Sequence, residues 1–82
     1  MKRDSESHHL VKIGQLAREF DVLPSTINFY TREGLLPENG RSRGGYRLYD
    51  KNQALRRLEQ ISQLQKARRL TIEEIKKLLK IR

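Results

Sequence analysis

The side chains best suited to chemistry in this sequence are arginines set among glycines. Arg43 and Arg47 flank the pair Gly44 and Gly45, and glycine lets the backbone approach a bound group closely. A guanidinium on such a backbone is suited to holding phosphate oxygens. Catalysis would need a nucleophile beside a base, a phosphate-binding loop or metal ligands at matched spacing, and the sequence contains none of these. We therefore expect a binding protein that is not an enzyme.

The histidine and cysteine content indicates that no metal or other cofactor is bound. His8 and His9 are adjacent, so on a helix or strand they point in different directions, whereas a two-histidine metal site needs both on one face. The sequence has no cysteine, which removes thiolate sites and disulfides and fits a reducing cytosol. We expect neither a metal nor a cofactor.

Positive charge is concentrated in the second half of the 82-residue chain, whose net charge is +8. Residues 1–40 carry 5 basic and 6 acidic side chains, while residues 41–82 carry 13 basic and 4 acidic ones, a net charge of +9. A polyanion is the expected partner of such a surface, and nucleic acid is the commonest polyanion. The alternative is a solvated basic surface that only keeps the protein in solution.

The lengths of the apolar runs indicate where in the cell the protein is expected to be. No apolar run exceeds four residues and the N-terminus lacks the apolar stretch of a signal peptide, so we expect no membrane span and no secretion. The length allows one domain at most. These features favour a cytoplasmic protein.

An apolar stripe at helical spacing predicts a first helix over about residues 13–20. After it, Asp21 can adopt the left-handed conformation that closes a tight turn, and Val22 and Leu23 are expected to add apolar contacts within that turn. The stripe consists of Ile13, Leu16, Ala17 and Phe20.

A second helix is predicted over about residues 24–33. Pro24 suits the first helical turn, and Gly34 stands where a helix ends. Ile27 and Tyr30 are expected to face inward, and Ser25, Asn28, Phe29 and Arg32 outward. Two short helices joined by a turn of about three or four residues form a helix-turn-helix.

The remaining residues predict a hairpin and two further helices. Residues 36–48, with three glycines and an Asn-Gly pair, predict a basic β-wing. Asp50 can cap a helix over about 51–68, and Thr71 with Glu74 forms a capping box for a helix over about 71–81. The expected buried stripes are Leu55, Leu58, Ile61 and Leu64 in the third helix, and Ile72, Ile75, Leu78 and Leu79 in the fourth.

These elements predict a mostly α fold of winged helix-turn-helix type, with about four helices and a short β-hairpin wing. Residues 1–11 are expected to be a flexible tail and residues 12–82 the folded domain.

Four motifs in this order resemble the DNA-binding domain of the MerR family of bacterial transcription regulators. They are IGQLAREFDV, STINFYTREGLLP, GGYRLYD and LEQISQLQKARRLTIEEIKKLL, and together they cover residues 12–81. The resemblance implies that the second helix enters the major groove of double-stranded DNA, while the hairpin and the following helix pair hold the flanking backbone. It also implies promoter distortion that lets RNA polymerase engage.

The residues themselves agree with that placement. Small polar side chains near the start of the second helix suit contact with base edges, and asparagine can form a bidentate pair with adenine. A tyrosine hydroxyl and wing cations can reach phosphates, and arginines before the last helix, with its backbone N–H groups, can clamp one. The predicted DNA-binding residues are Ser25, Thr26, Asn28, Tyr30, Arg32, Arg43, Tyr46, Arg47, Arg68 and Arg69.

Three of these assignments have a structural alternative. Tyr30 and Tyr46 could be packing residues, and Asn28 could be a surface residue without a partner. Other basic residues are expected to lie on solvated helix faces: Arg56, Arg57, Lys76, Lys77 and Lys80.

The chain departs from the usual family pattern at several positions. The family usually has Arg in place of Asn28, Glu in place of Thr31, Gly in place of Asp21, and Gly-Phe in place of Thr71 and Ile72. Because Asn28 lies on the predicted reading surface, the sequence preference of this chain is expected to differ from that of typical members.

Two other functions remain open at this point. An excisionase-like or architectural DNA-bending protein can use the same fold, and so can a protein-interaction module that presents a basic face to an acidic partner. Family members usually continue into a dimerising helix, and three or four sustained heptads are missing here. A homodimer is therefore expected only if a longer native chain or another surface supplies the contact.

Overall fold

The computed structural model describes residues 10–79. Within this range the elements are, in chain order, β1 (Leu10–Lys12), α1 (Ile13–Phe20), α2 (Pro24–Arg32), β2 (Gly40–Arg41), β3 (Arg47–Asp50), α3 (Lys51–Ala67) and α4 (Ile72–Leu78). The predicted mostly α architecture of four helices with a β-hairpin is confirmed. None of the helices in the described range is long and apolar enough to cross a membrane.

The sheet has one strand more than the sequence predicts. Its three antiparallel strands lie in the order β1-β3-β2, and Val11 pairs with Tyr49 in register. Both side chains are buried, with 4% and 0% of their surface exposed. Leu10 and Val11 therefore belong to the folded domain rather than to the predicted tail, and the rest of that predicted tail, residues 1–9, lies outside the described residues.

The helix-turn-helix forms as predicted. Leu16 and Ala17 on α1 are buried, and α1 ends at Asp21 in the left-handed conformation, with φ 60° and ψ 50°. Pro24 begins α2, and Gly34, with a φ of 81°, follows its end. Asparagine and aspartate tolerate the left-handed region because their short polar side chains bond locally, so Asp21 can stand where the family usually has glycine.

The turn between α1 and α2 differs from expectation at Leu23. This residue occupies the N-cap position of α2, where its side chain makes no capping hydrogen bond. Its side chain is 68% exposed, so the apolar contact predicted for it in the turn is wrong. Val22, by contrast, packs against the core.

Helices α3 and α4 complete two apolar clusters. The first lies beneath the sheet and the helix-turn-helix, and the second joins Leu35, Ile61 and Ile75. On α3 the fully buried residues are Ala54, Leu58 and Ile61, while the predicted Leu55 and Leu64 are only partly buried.

The ends of α3 and α4 follow the predicted capping. The Asp50 side chain accepts a hydrogen bond from the Gln53 N–H, and the capping box of Thr71 and Glu74 is present. Leu78 is 48% exposed, so its predicted inward position is wrong, because one residue on a helix is turned by about 100° from the next. The predicted Ile72, Ile75 and Leu79 all lie in the second apolar cluster. The predicted extension of this helix to residue 81 passes beyond the described residues.

Candidate nucleic-acid interface

The solvent-facing side of α2 is polar. Ser25 and Arg32 are exposed and Asn28 is half-buried, and residues three or four apart lie on one face of a helix. Thr26 is half-buried beside them. Ile27, on the opposite face, is completely buried, so burial of one face fixes which polar side chains α2 presents.

The hairpin between β2 and β3 is a tight basic loop. The Ser42 N–H donates to the Tyr46 carbonyl at 2.8 Å, and the Gly45 N–H donates to the Ser42 carbonyl at 2.9 Å. Gly45 has a φ of 86°, a conformation that a side chain would strain. Arg43 is exposed at the tip of this loop, where its guanidinium is accessible to a polyanion.

Lys12 and Tyr46 lie together on the outer side of the sheet. The Tyr46 ring is 61% exposed, and the Lys12 Nζ lies 5.2 Å from the ring centroid. This is a cation–π distance. Tyr46 is therefore not a core residue, although its ring lies against Gly44 of the hairpin, and its contact with DNA stays a prediction.

Glu38 holds two arginines of the hairpin. Arg41 and Arg47 face each other across β2 and β3, an arrangement in which like charges repel. The Glu38 Oε2 lies 3.3 Å from Arg41 Nη2, and its Oε1 lies 3.2 Å from Arg47 Nε. The carboxylate thus offsets the repulsion and fixes both guanidinium groups.

Arg47 also reaches α2. Its Nη1 donates to the Asn28 Oδ1 at 2.7 Å. One shallow groove between α2 and the hairpin brings together three predicted site residues, since its lining is Ile13, Asn28, Arg41, Gly45, Tyr46 and Arg47. The predicted reading helix and the predicted wing therefore form one continuous surface.

Tyr30 lies apart from this surface. Its hydroxyl donates to the Gln65 Oε1 on α3 at 3.0 Å, and its ring packs against both apolar clusters. Burial raises the pKa of the Tyr30 hydroxyl. This geometry favours the packing alternative for Tyr30 over contact with phosphate.

Arg68 and Arg69 follow α3 and are both exposed. Arg69 has a φ of 55°, which places the chain in a tight turn before α4. The Thr71 N–H and the Glu74 N–H are both used within the capping box, and Glu73 and Glu74 lie in the first helical turn. The start of α4 is therefore a poor anion site, and any phosphate contact here depends on the two guanidinium groups.

Two cations that were expected to be solvated have partners in the structure. Arg57 donates to the Leu35 carbonyl at 2.9 Å, which ties α3 to the segment after α2. Lys76 Nζ lies 2.7 Å from the Glu33 Oε1, and its hydrogen bond with Glu33 is the main cause that raises the pKa of Lys76. The solvated assignment of Arg57 and Lys76 is therefore wrong.

Lys12, Glu38 and Arg41 belong to this surface although none is among the predicted site residues. Lys12 could have been predicted only if strand β1 had been predicted first. The one buried side chain of β1 gives almost no alternating pattern from which to predict a strand. Glu38 carries a charge opposite to that of the expected surface. Its ion pairs with Arg41 and Arg47 form because the register of β2 and β3 places these two arginines opposite each other, which the sequence alone does not indicate. The position of Arg41 among glycines was the one available sequence signal.

A polar helix face beside a basic hairpin defines the chain as a winged helix-turn-helix protein. The chain belongs to the MerR family: the sequence profile described as MerR HTH family regulatory protein matches residues 11–81. The resemblance stated from the sequence is thereby confirmed.

Curated relatives and solved structures agree with this membership. The chain is 43% identical over 68 residues to the mercuric resistance operon regulatory protein of Bacillus cereus, covering 83% of this chain and 50% of that protein. It is 33% identical over 75 residues to the HTH-type transcriptional regulator ZntR of Escherichia coli K12, covering 89% of this chain and 50% of ZntR. The chain therefore spans about half the length of these relatives.

Among solved structures, the chain is similar to the transcription regulator PbrR691 from Ralstonia metallidurans CH34, crystallised in complex with lead(II). The TM-score is 0.73 and the identity 44%, over 85% of this chain and 53% of PbrR691. It is also similar to HiNmlR, a MerR family regulator lacking the sensor domain and bound to promoter DNA, with a TM-score of 0.71 and 28% identity over 84% of this chain and 53% of HiNmlR. The similarity to these regulators favours a role in transcription regulation over the excisionase-like alternative.

Proposed function

We propose that this chain is a sequence-specific, double-stranded DNA-binding domain of a MerR-type transcription regulator. In this proposal α2 enters the major groove and the hairpin holds the adjacent phosphate backbone. The observation that carries the proposal is the continuous groove that joins Asn28 on α2 to Arg41, Tyr46 and Arg47 on the hairpin. The similarity to HiNmlR, whose crystal structure holds promoter DNA, supports DNA as the partner.

The charges fit such a partner. Exposed cations lie at the hairpin tip, at Arg43, and after α3, at Arg68 and Arg69, so they are available to phosphates. Phosphate contacts position a protein on DNA, whereas contacts from side chains such as Ser25 and Asn28 to base edges would supply specificity. No catalytic step is part of this function.

Three further statements belong to the proposal. The protein acts in the bacterial cytoplasm on the nucleoid. Its effect on transcription is exerted through RNA polymerase at the bound promoter. Two copies would occupy half-sites about 34 Å apart, one turn of DNA, when a longer native chain or another surface joins them, and a single copy would bind one half-site weakly.

The decisive experiment is a salt titration of binding to genomic DNA fragments in the presence of random-sequence competitor. We expect a few fragments to remain bound when the others are released, because base contacts add to the phosphate term only at matching sites. The symmetry of the retained fragments would also report whether two copies bind. Equal release of every fragment would leave only phosphate binding and contradict sequence specificity, and no binding at low salt would point instead to an acidic protein partner.

A further inference from the structure

Three side chains from separate parts of the chain form a network at the junction of α2 and the hairpin. Arg47 on β3 lies at its centre, with its Nε 3.2 Å from the Glu38 Oε1 and its Nη1 donating to the Asn28 Oδ1 at 2.7 Å. Glu38 precedes β2 and Asn28 lies on α2. We call this the Glu38–Arg47–Asn28 network.

The network leaves Arg47 poorly placed to act as a phosphate contact. Its side chain is only 28% exposed. Its Nε is buried, and although Glu38 lies close enough for an ion pair, the Nε makes no aligned hydrogen bond. Arg43, in contrast, is exposed at the hairpin tip. Arg43 is therefore better placed than Arg47 to make the predicted contact between the wing and the DNA phosphate backbone.

The bond from Arg47 determines which way the Asn28 amide faces. A guanidinium can only donate hydrogen bonds, so the atom it approaches must be the amide oxygen and not the amide nitrogen. The Nδ2 group of Asn28 is then directed away from Arg47. Among residues 10–79 the structure shows no hydrogen bond from this Nδ2 and does not bury it without a partner, so its two N–H donors remain available.

An amide held in this way reads bases differently from a free one. The bidentate pair of asparagine with adenine uses the amide oxygen as acceptor for N6–H and the amide N–H as donor to N7. Arg47 occupies one of the two lone pairs of the amide oxygen and holds that oxygen toward β3, so Asn28 presents its N–H donors to a base. Guanine presents two acceptors in the major groove, N7 and O6, and thymine presents O4, whereas adenine presents the acceptor N7 beside the N6–H2 donor. N–H donors therefore match guanine or thymine better than adenine, whose N6–H2 group would face another donor.

We infer that Arg47 is a positioning residue that fixes the Asn28 amide, so that α2 selects guanine or thymine over adenine at the base pair Asn28 reaches. The inference depends on the proposed function, because it concerns how the same surface reads DNA. It replaces the adenine preference expected from asparagine alone. Glu38 takes part because its carboxylate holds the guanidinium on the opposite side.

The test measures binding of the full 82-residue chain to duplexes in which each base pair of a retained genomic fragment is changed in turn. The variants are Arg47→Lys, which keeps the charge but replaces the planar fork with a point donor, and Asn28→Ala. Arg56→Lys on the exposed face of α3 is the matched control. Glu38→Gln, which keeps the side-chain shape, is a second route to loosening the network if Arg47→Lys unfolds.

We expect one base pair at which the unaltered chain prefers guanine or thymine to adenine by about tenfold, within the discrimination typical of base contacts. Arg47→Lys should erase most of that ratio at this base pair and leave the ratios at the others unchanged. Asn28→Ala should erase it as well, and adding Arg47→Lys to Asn28→Ala should change it no further. Glu38→Gln should act in the same direction with a smaller effect.

The outcomes separate the inference from the proposed function. An adenine preference at the Asn28 position, or an Arg47→Lys variant that weakens binding to all duplexes equally and keeps every ratio, would overturn the inference alone. Failure of the unaltered chain to discriminate among duplexes would overturn the proposed function and the inference with it. The DNA-free protein provides an independent check: Arg47→Lys should shift the NMR signals of the Asn28 Nδ2 protons, and unchanged signals would contradict the network itself.

Discussion

The hydroxyl oxygens of Thr31 and Tyr49 lie 2.8 Å apart and join α2 to β3. The Thr31 hydroxyl donates its one proton to the Ile27 carbonyl at 2.8 Å, so the bond between the two hydroxyls must be donated by Tyr49. Tyr49 is completely buried, so this bond is a second link between α2 and β3, in addition to the bond from Arg47 to Asn28.

Removal of the two hydroxyls should have unequal costs. Thr31→Val leaves the buried Tyr49 O–H without an acceptor and should lower the free energy of unfolding by about 1–3 kcal/mol. Tyr49→Phe leaves Thr31 with its bond to the Ile27 carbonyl and should cost about 0.5–1.5 kcal/mol. Urea denaturation of both variants and of the double variant measures the difference.

The double variant is the control for this pair. Because replacing both partners removes the unsatisfied group, its destabilisation should be smaller than the sum of the two single effects. Strict additivity, or a larger loss for Tyr49→Phe than for Thr31→Val, would contradict the assigned direction of the hydrogen bond.

The capping box of α4 should contribute to stability in a pH-dependent way. Thr71→Ala removes the acceptor of the Glu74 N–H and should lower the free energy of unfolding by about 0.5–2 kcal/mol. The backbone hydrogen bond from Thr71 is the main cause that lowers the pKa of Glu74 from its ordinary value of 4.5. The folded state therefore holds this proton less tightly than the unfolded chain does.

The sign of the pH effect follows from that lowered pKa. The contribution of Glu74 is complete above pH 4.5, its ordinary pKa, and disappears as the pH falls through the lower folded-state value. Glu74→Gln should therefore change stability most at neutral pH and progressively less in acid. Denaturation curves at a series of pH values check this, and Glu73→Gln in the same helical turn is the matched control. A difference between Glu74→Gln and the unaltered chain that grows as the pH falls would be inconsistent with this assignment.

Leu23 should be replaceable with a gain in stability. It occupies the N-cap of α2 without a capping bond and is 68% exposed, whereas serine, aspartate or asparagine at this position would accept a hydrogen bond from the helix start. Leu23→Ser should raise the free energy of unfolding by about 1 kcal/mol. Leu23→Ala, which shortens the side chain without capping, should be nearly neutral, and a similar gain from both would assign the effect to lost apolar exposure.

Local patterns were sufficient to predict some elements because their causes lie within a few residues. The stripe of α1, the left-handed Asp21 and the Thr71–Glu74 box all depend on neighbours in sequence, and the structure has each of them. Strand β1 could not be predicted in this way, because three residues with one buried side chain show no usable alternation.

The candidate site was predictable only in its composition. Arg47 and Asn28 are separated by 19 residues, and their contact depends on how β3 lies against α2, which no local pattern encodes. The helical spacing of Tyr30 is compatible with either packing or contact with DNA. Because α3 lies beside α2, the Tyr30 hydroxyl bonds to Gln65, which favours packing. The pairs that fix side-chain orientation thus follow from tertiary packing, while residue types alone indicated the basic wing and the polar helix face.

Tyr30 offers a test that separates packing from contact with phosphate. Because its hydroxyl is bonded to Gln65, Tyr30→Phe should leave DNA affinity and its salt dependence unchanged and should lower stability by about 0.5–1.5 kcal/mol. Gln65→Ala, away from the α2 surface, should give a similar loss of stability with unchanged DNA binding. A loss of affinity for Tyr30→Phe that is similar for all DNA sequences would instead assign this hydroxyl to a phosphate.

Arg43 should be the clearest electrostatic contact of the hairpin. Each phosphate contact contributes a slope of about −0.9 to the dependence of log affinity on log salt concentration, so Arg43→Ala should reduce the magnitude of the slope by about one unit. Since Arg43 is exposed and touches no base in this proposal, the loss of affinity should be similar for all sequences. Arg56→Ala, an exposed arginine that lines a separate groove along α3 with Gln53, Gln60 and Gln63, should leave the slope unchanged. Equal slopes for Arg43→Ala and the unaltered chain would remove the hairpin tip from the interface, while a slope that falls equally in both variants would reflect net charge alone.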